Sequence, residues 1–181
     1  QLASRLGSRV VVHHRFGTAT LHVDGKNLDI ITARREDYPY AGSLPVVQPS
    51  NLEADLLRRD FTINSLAIRV EPGPFGELVD PYGGGRDLDN RLIRILHSGS
   101  FTDDATRILR ALRYEQRLGF KLEKSTAAAL SRDVPMLDTI SGDRLRHELE
   151  LILKEQYPER VLRRLGDIGA ISRLLPSWKG Y

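Results

Sequence analysis

The residues best suited to chemistry are an acid and three arginines that recur at intervals of three. They are Asp104, Arg107, Arg110 and Arg113, in a stretch, FTDDATRILRALRYEQRLGF, that has the apolar spacing of a helix. On one helix, residues three apart drift by about 60° around the axis, so the four side chains would form a winding stripe about 13 Å long. Such a stripe is comparable in length to an extended nucleoside triphosphate.

An aspartate acceptor beside an arginine donor makes a specific chemical prediction. The pair matches the Watson–Crick edges of cytosine and adenine, in which a ring nitrogen accepts and an amino group donates a hydrogen bond. Guanine and uracil present the opposite pattern. Asp104 and Arg107 would then select C and A without a nucleic-acid template, while Arg110 and Arg113 neutralise phosphates. The alternative is that Asp104 offsets the helix macrodipole and the arginines form a solvated face.

Two other features of the first half bear on phosphate chemistry. Asp29 lies in NLDIIT, a predicted strand in which its neighbours Leu28 and Ile30 point to the opposite face. A strand carboxylate of this kind is either an exposed residue or one ligand of a two-metal phosphoryl-transfer site. The triple glycine at residues 83–85 lacks the Lys-Ser/Thr pair of a phosphate-binding loop, so we expect a turn or hinge there.

Strands are predicted for the beginning of the chain. The stretch SRVVVHHRFGTATLHVDGKNLDIITAR predicts a β-hairpin that turns at DGKN. The next stretch, REDYPYAGSLPVVQPS, is rich in turn residues and is expected to be a loop, with Ser50 as the cap of a helix over NLEADLLRRDFTINSLAI. A short strand is expected over Glu77–Asp80.

The pattern becomes helical after Pro81. PYGGGRDLDN is expected to be a flexible connector, and the next long helix is expected to have Thr102 as its N-cap and Gly119 as its stop. Further helices are predicted over Lys124–Arg132, Gly142–Lys154, Pro158–Leu165 and Ile168–Leu175. The fold class is therefore α+β: a partial head of strands and helices followed by an all-helical part, with a boundary near residues 90–100.

Composition narrows the class of protein. The 181 residues are 40% hydrophobic and 28% charged, as in an ordinary globular protein. No apolar run approaches the roughly 20 residues that cross a bilayer, and the first residues lack the layout of a signal peptide, so we expect a cytoplasmic protein without a membrane partner. The absence of cysteine excludes disulfides and thiol chemistry, and the five histidines lack zinc-ligand spacing, so any metal would be bound by carboxylates.

The charge is unevenly distributed along the chain. Of the 27 basic residues 22 are arginine, a bias that suits phosphate recognition but is also typical of a GC-rich genome. Residues 1–90 carry 10 basic and 12 acidic groups, whereas residues 91–181 carry 17 and 12. We therefore expect the second half to form the nucleic-acid face.

Three motifs together resemble a known family. RRDFTINSLAI, LVDPYGGGRDLDNRLIRI and FTDDATRILRALRYEQRLGF occur in the order and spacing of the class II tRNA nucleotidyltransferase/poly(A) polymerase family, which includes CCA-adding, CC-adding, A-adding and bacterial polyadenylating enzymes. The resemblance covers essentially the whole chain. It implies that residues 1–92 are the C-terminal portion of a nucleotidyltransferase head, 93–155 a helical neck that recognises the nucleotide, and 156–181 the start of a helical body.

The resemblance also assigns the nucleotide-binding residues. Arg59 would bind the incoming nucleotide, with Asp60 nearby around its sugar. Asp104 and Arg107 would be the protein template. The remaining members of the stripe would complete the nucleotide pocket, namely Arg110 and Arg113.

Supporting roles are implied for residues outside the pocket. Asp80, with the glycines after it, would belong to the hinge between head and neck. In GDRLRHEL, Arg144 and Glu148 would brace the template helix. Asp29 would be a third, supporting carboxylate near the metal site. Asp103 stands where the family usually has Glu, a mild change.

The resemblance implies Mg²⁺-dependent transfer of CMP and/or AMP from CTP/ATP to a tRNA 3′ end. The resemblance places the family's Gly-Gly phosphate motif and Asp-x-Asp metal pair upstream of Gln1, so neither functional motif is expected among these 181 residues. Without that pair Asp29 alone cannot hold two metals, so the chain as given is expected to be inactive alone. The alternatives are a noncatalytic RNA- or nucleotide-binding module on the same scaffold and a bacterial poly(A) polymerase.

Overall fold

The first strands form a three-stranded antiparallel sheet. The structure is a computed structural model that describes residues 9–13, 17–71 and 73–175. The sheet has the order β1-β2-β3, with β1 at Arg9–His13, β2 at Thr18–Val23 and β3 at Lys26–Ile31. β2 and β3 are joined through Asp24 and Gly25, which both have positive φ, at 48° and 73°. Two such residues give the turn whose twist matches a hairpin, so the predicted hairpin is confirmed.

A second hairpin occupies most of the stretch predicted as a loop. β4 (Arg34–Asp37) pairs antiparallel with β5 (Val46–Pro49), and the turn-rich residues 38–45 connect them. The loop prediction was wrong for the strand residues because cross-strand contacts outweigh the weak strand propensity of charged side chains. One such contact is the hydrogen bond that Arg35 donates to Gln48, at 2.6 Å.

The charged motif RRD lies in a break between two short helical elements. Helix α1 (Leu52–Leu57) is capped by Asn51, whose side chain accepts a hydrogen bond from the Ala54 amide, and not by Ser50 as predicted. A 3₁₀ turn follows at Thr62–Asn64. Asp60 separates the two because its carboxylate accepts the Phe61 amide, and Phe61 then pairs with Ile95 as an isolated bridge. The predicted continuous helix is therefore interrupted where its charges lie.

The expected flexible connector is in fact ordered. β6 (Ala67–Ile68) pairs with β7 (Leu78–Val79), which confirms the short strand, and helix α2 covers Gly84–Asp89. The Asp80 carboxylate accepts hydrogen bonds from the Gly84 and Gly85 amides at the start of α2. A Cβ on Gly84 would lie 2.2 Å from the Thr62 carbonyl oxygen, so this close approach requires glycine.

The second half is helical, as predicted, apart from one short parallel strand pair. β8 (Leu92–Ile93) pairs with β9 (Lys121–Leu122). The helices are α3 (Ser100–Asp103), α4 (Thr106–Leu118), α5 (Lys124–Asp133), α6 (Gly142–Leu153), α7 (Pro158–Asp167) and α8 (Ala170–Leu174), with a 3₁₀ segment at Val134–Thr139. Gly119 ends α4 in the left-handed conformation, as predicted.

The start of the long helix differs from the prediction. Thr102 lies inside α3 and is not an N-cap, and the chain becomes extended at Asp104, with φ −142° and ψ 99°. The Asp104 carboxylate accepts the amide and the hydroxyl of Thr106. This local bond competes with the continuous helix, so α4 begins at Thr106. Asp104 therefore precedes the helix that carries the three arginines.

The core joins the two halves of the chain. Phe61 and Ile63, from the segment after RRD, belong to the same buried cluster as Phe101 and Ile108 of the helical part. Leu21 and Leu56 are also buried. Across the ranges that the structure describes, we find no helix with the length and apolarity that a membrane span requires.

A buried carboxylate fastens α2 to both halves. Asp87 is 1% exposed, accepts a hydrogen bond from the Thr62 hydroxyl at 2.7 Å, and accepts two from the Arg94 guanidinium. Its oxygens thus join the 3₁₀ turn to the chain that enters the helical part. Removal of a buried carboxylate of this kind leaves its donors unsatisfied.

Substitution of Asp87 is therefore expected to destabilise the fold. Asp87→Ala should lower the free energy of unfolding by about 2–3 kcal/mol, since it removes a buried acceptor from Thr62 and Arg94. Urea unfolding followed by circular dichroism measures the change. Asp89→Ala, an exposed aspartate of the same helix, is the matched control and should change the free energy little. Equal losses in both variants would contradict the structural role.

Candidate functional site

A cleft of about 490 Å³ opens between the second hairpin, the RRD segment and the start of α4. Its volume is in the range of small-molecule sites. It brings together five of the predicted site residues: Arg59, Asp60, Asp104, Arg107 and Arg110. The other lining residues are Glu36, Tyr38, Arg58, Asn64 and Tyr114.

The two arginines of RRD are held by one buried acid. Asp55 accepts hydrogen bonds from Arg58 and Arg59, and Arg58 also pairs with Glu36 at 3.1 Å. Burial alone would raise the pKa of the Asp55 carboxyl, but the Arg58 guanidinium bonded to it holds that pKa below its usual range. Arg59 keeps 40% of its side chain exposed, and its Nη1 also donates to the Asn64 carbonyl at 3.4 Å. Its Nε is buried and has no hydrogen-bond partner in the described part of the chain. Arg59 is thus held by Asp55 and Asn64 while part of its side chain remains accessible from the cleft.

Asp60 links the first half to α4. Its carboxylate accepts the Phe61 amide and the Asn64 side chain on one oxygen, and the Arg110 guanidinium on the other at 2.6 Å. Burial opposes the charge of Arg110, but Asp60 beside it raises the pKa of Arg110 above its ordinary value. The two residues are 50 positions apart, so this pair fixes RRD against the helical part.

Arg107 is a buried cation held by neutral acceptors. It is 5% exposed; its Nη1 donates to the Ser100 hydroxyl at 2.8 Å, and its Nη2 donates to the Arg58 carbonyl at 2.6 Å. Within the described residues, no carboxylate oxygen lies within 4.0 Å of its guanidinium, whereas the other three cleft arginines all have carboxylate partners. A buried charge without a counterion is costly and is typical of a functional site.

Asp104 is held separately from Arg107. Its Oδ1 accepts hydrogen bonds from the Thr106 amide and the Thr106 hydroxyl and forms an ion pair with the Arg144 guanidinium at 2.6 Å. No hydrogen bond from the described residues reaches Oδ2. An acid and a base three residues apart therefore lie at one cleft without neutralising each other.

Arg113 is the predicted nucleotide-binding residue that the structure does not bring to the cleft. It is buried, lies 3.5 Å from both Glu148 and Glu155, and packs against the Tyr114 ring. The reason is the drift of the stripe: two steps of three residues beyond Arg107 turn the side chain by about 120°, toward α6. The prediction of a phosphate contact for Arg113 therefore does not fit its position.

Arg144 and Glu148 contact the stripe from α6, where bracing residues were expected. Arg144 pairs with Asp104, and Glu148 lies 3.6 Å from Arg110 and 3.5 Å from Arg113. Glu148 is buried, so these contacts are shielded from water. They connect the acid and two of the arginines to a second helix.

The sequence did not predict that the second hairpin contributes Glu36 and Tyr38 to the cleft. The Tyr38 hydroxyl donates to Glu36, and burial together with the Glu36 carboxylate raises the pKa of Tyr38 above its ordinary value. Asp104 and Arg107 are also close enough to act on that pKa. The turn-rich composition of the whole stretch favours a loop, and the four charged residues of β4 carry no apolar alternation that would indicate a strand.

The two remaining predicted residues, Asp29 and Asp80, also lie outside the cleft. Asp29 lies on β3, as predicted, is exposed, and accepts a hydrogen bond from Thr20 at 2.7 Å. Among the described residues no group of three or more His, Asp or Glu side chains is arranged to hold a metal. The carboxylate of Asp29 suits Mg²⁺ chemically, but these residues do not make a complete metal site. Asp80 caps α2 and does not line the cleft.

Comparison with known proteins identifies both parts of the chain. Residues 1–94 match the family described as "Poly A polymerase head domain", and residues 119–181 match "Probable RNA and SrmB-binding site of polymerase A". An A-adding tRNA nucleotidyltransferase of Geobacter sulfurreducens is 43% identical over 97% of this chain and 20% of its own length. A CC-adding tRNA nucleotidyltransferase of Deinococcus radiodurans is 42% identical over 97% of this chain and 46% of its own.

A solved structure gives the same result for the fold. A tRNA nucleotidyltransferase complexed with a primer tRNA and an incoming ATP analog superposes with a TM-score of 0.89 at 37% identity, over 99% of this chain and 51% of that one. The chain thus spans about half or less of the length of the proteins it matches. The head-domain match, the relatives and the superposition agree, and the chain belongs to the tRNA nucleotidyltransferase/poly(A) polymerase family.

Proposed function

We propose that the full-length protein adds C and/or A to tRNA 3′ ends from CTP and ATP without a nucleic-acid template. The observation that carries the proposal is that Asp104 and Arg107 lie at the same cleft without pairing with each other. Such a pair has free hydrogen-bonding capacity of both kinds. The same substrates are supported by the A-adding and CC-adding relatives and by the superposed nucleotidyltransferase, which is complexed with a primer tRNA and an ATP analog.

The hydrogen-bonding groups left free on this pair define the base. Arg107 uses both hydrogens of Nη1 on Ser100 and one of Nη2 on the Arg58 carbonyl, which leaves Nε–H and one Nη2–H as donors. Asp104 retains Oδ2 as an acceptor. One donor and one acceptor side by side match the ring nitrogen and amino group of cytosine or adenine and oppose uracil and guanine.

The remaining cleft residues suit the sugar and phosphates. Arg59 lines the cleft and keeps 40% of its side chain exposed, so it is proposed to bind the triphosphate. Asp60 is proposed to lie near the sugar, and Arg110, which is paired with Asp60, contributes positive charge there. Asp80, Arg144 and Glu148 are proposed as supports of this arrangement, on the contacts described above.

We propose Mg²⁺ as the metal of the reaction. Nucleotidyltransferases are generally metal-dependent, and when bound the ion activates the attacking hydroxyl and stabilises the departing pyrophosphate. Asp29 is proposed to supply one oxygen ligand. Among the described residues, no group of three or more His, Asp or Glu side chains is arranged to complete the site.

We propose that successive segments of the chain belong to different domains of the enzyme. Residues 1–92 are proposed as part of the nucleotidyltransferase head, 93–155 as the neck that carries the base-reading pair, and 156–181 as the start of the body. The cleft uses residues of both head and neck, since Arg59 and Asp60 face Asp104 and Arg107 across it.

The product is tested by nucleotide incorporation into tRNAs that end before C, CC or CCA. The A-adding and CC-adding relatives have nearly equal identity to this chain, so the assay needs all three primers. Extension of these primers by C or A in the full-length protein supports the proposal. A long A tail favours the poly(A) polymerase alternative, in agreement with the description of the head-domain family.

A noncatalytic module is the rival of a different class. It is favoured by the lack of a metal-holding group among the described residues. It predicts nucleotide or RNA binding without incorporation under any metal. Incorporation that requires a divalent cation would exclude it.

Arg107→Ala in the full-length protein should relax base selection. The change removes the donor half of the reading pair, so the preference for CTP and ATP over UTP and GTP should fall roughly 10- to 100-fold, the size of one two-point base contact. Competition assays with the four nucleotides measure it. Arg146→Ala, an exposed arginine of α6, is the control and should keep the preference. Unchanged selectivity in Arg107→Ala would refute the template role.

Arg59→Ala should act differently, because Arg59 is proposed to contact phosphates and not the base. Loss of this cation should raise KM for CTP and KM for ATP equally, each by roughly tenfold, with little change in base preference. Initial rates over a range of each nucleotide give both quantities. Arg35→Ala, an exposed arginine of β4, is the matched control. A loss confined to one nucleotide would contradict a phosphate contact.

A further inference from the structure

The hydroxyl of Ser100 lies in an unusual place. Ser100 is 0% exposed, and among the described residues its hydroxyl has one hydrogen-bond partner, Nη1 of Arg107 at 2.8 Å. The backbone carbonyl of the same residue accepts a second hydrogen bond from Nη1 at 3.3 Å. One residue thus occupies one whole end of the guanidinium.

The neutrality of this oxygen matters for the cation that it holds. A carboxylate at the same place would neutralise Arg107 before any ligand arrived. An apolar side chain would leave one of the two Nη1 hydrogens without its acceptor in a buried site, and Asp104 lies three residues away as an alternative partner. A buried hydroxyl satisfies the arginine, keeps its charge available and prevents it from turning toward Asp104.

We propose that Ser100 is a positioning residue that fixes the guanidinium of Arg107 and thereby sets the selectivity for C and A over U and G. The inference rests on the proposed function and adds a determinant to it. Ser100 does not line the cleft, so it acts on the base only through Arg107. Its loss should therefore change discrimination more than the rate at saturating CTP or ATP.

The experiment compares Ser100→Ala and Ser100→Cys in the full-length protein. Alanine removes the acceptor, and cysteine keeps the packing volume while replacing it with a weak one. We expect the ratio of CTP and ATP incorporation to UTP and GTP incorporation to fall about tenfold in the alanine variant, as for the loss of a hydrogen bond to a charged group. The cysteine variant should show a loss in the same direction.

Thr126→Val is the matched control for the loss of a buried hydroxyl. Thr126 is 0% exposed, its hydroxyl accepts the Ile95 amide at 3.1 Å, and it does not line the cleft. Thermal unfolding shows whether its stability loss resembles that of the Ser100 variants. Selectivity should remain at the wild-type level in Thr126→Val, and an equal loss there would overturn the proposal, since destabilisation would then explain it.

A double-mutant cycle with Arg107→Ala tests the route of the effect. If Ser100 acts through Arg107, Ser100→Ala should cause no further loss of selectivity in the Arg107→Ala background. Independent losses, or unchanged selectivity in both folded Ser100 variants, would overturn the inference while leaving the proposed function intact. Absence of any C and A preference in the wild-type protein would instead overturn the proposed function.

Discussion

The site depends on keeping an acid and a base apart. A carboxylate and a guanidinium three residues apart readily pair, and near a protein surface two charges at 4 Å attract each other by about 4 kcal/mol. Here the helix is interrupted at Asp104, whose carboxylate contacts Thr106 and Arg144. Arg107 is held instead by Ser100 and by the Arg58 carbonyl. Both the carboxylate and the guanidinium therefore keep groups that can hydrogen-bond to a ligand. The cleft thus offers an acceptor and a donor side by side.

The two halves of the chain are locked together at the same place. Asp60 pairs with Arg110, the Arg58 carbonyl accepts Arg107, and Phe61 packs in the helical core beside them. The RRD segment therefore cannot be positioned independently of the helix that carries the arginines. This explains why three consecutive charges occur beside a buried apolar segment: each charge has a partner, and the apolar residues that follow fix the geometry of all three.

Sequence patterns predicted much of this structure. The hairpin at DGKN, the helices after residue 120 and the joint position of Arg59, Asp60, Asp104, Arg107 and Arg110 were predictable, since they follow from local turn chemistry, apolar spacing and family motifs. The failures have a common physical cause. The Asp104 carboxylate binds Thr106 and breaks the helix, Asp80 caps an unexpected helix, and cross-strand contacts turn Arg34–Asp37 into a strand. Periodicity does not report such side-chain bonds, and for that reason Ser100, Glu36 and Tyr38 were missed.

The residues that hold Asp104 and Arg107, the proposed base-reading pair, differ in hydrogen-bonding character. Asp104 is held by donors from Thr106 and Arg144, whereas Arg107 is held by acceptors. Exchange of the two side chains, the simplest redesign toward guanine or uracil, would place an acid against acceptors and a base against donors. A protein engineered for the opposite bases must therefore reverse the scaffold beneath the pair as well as the pair itself.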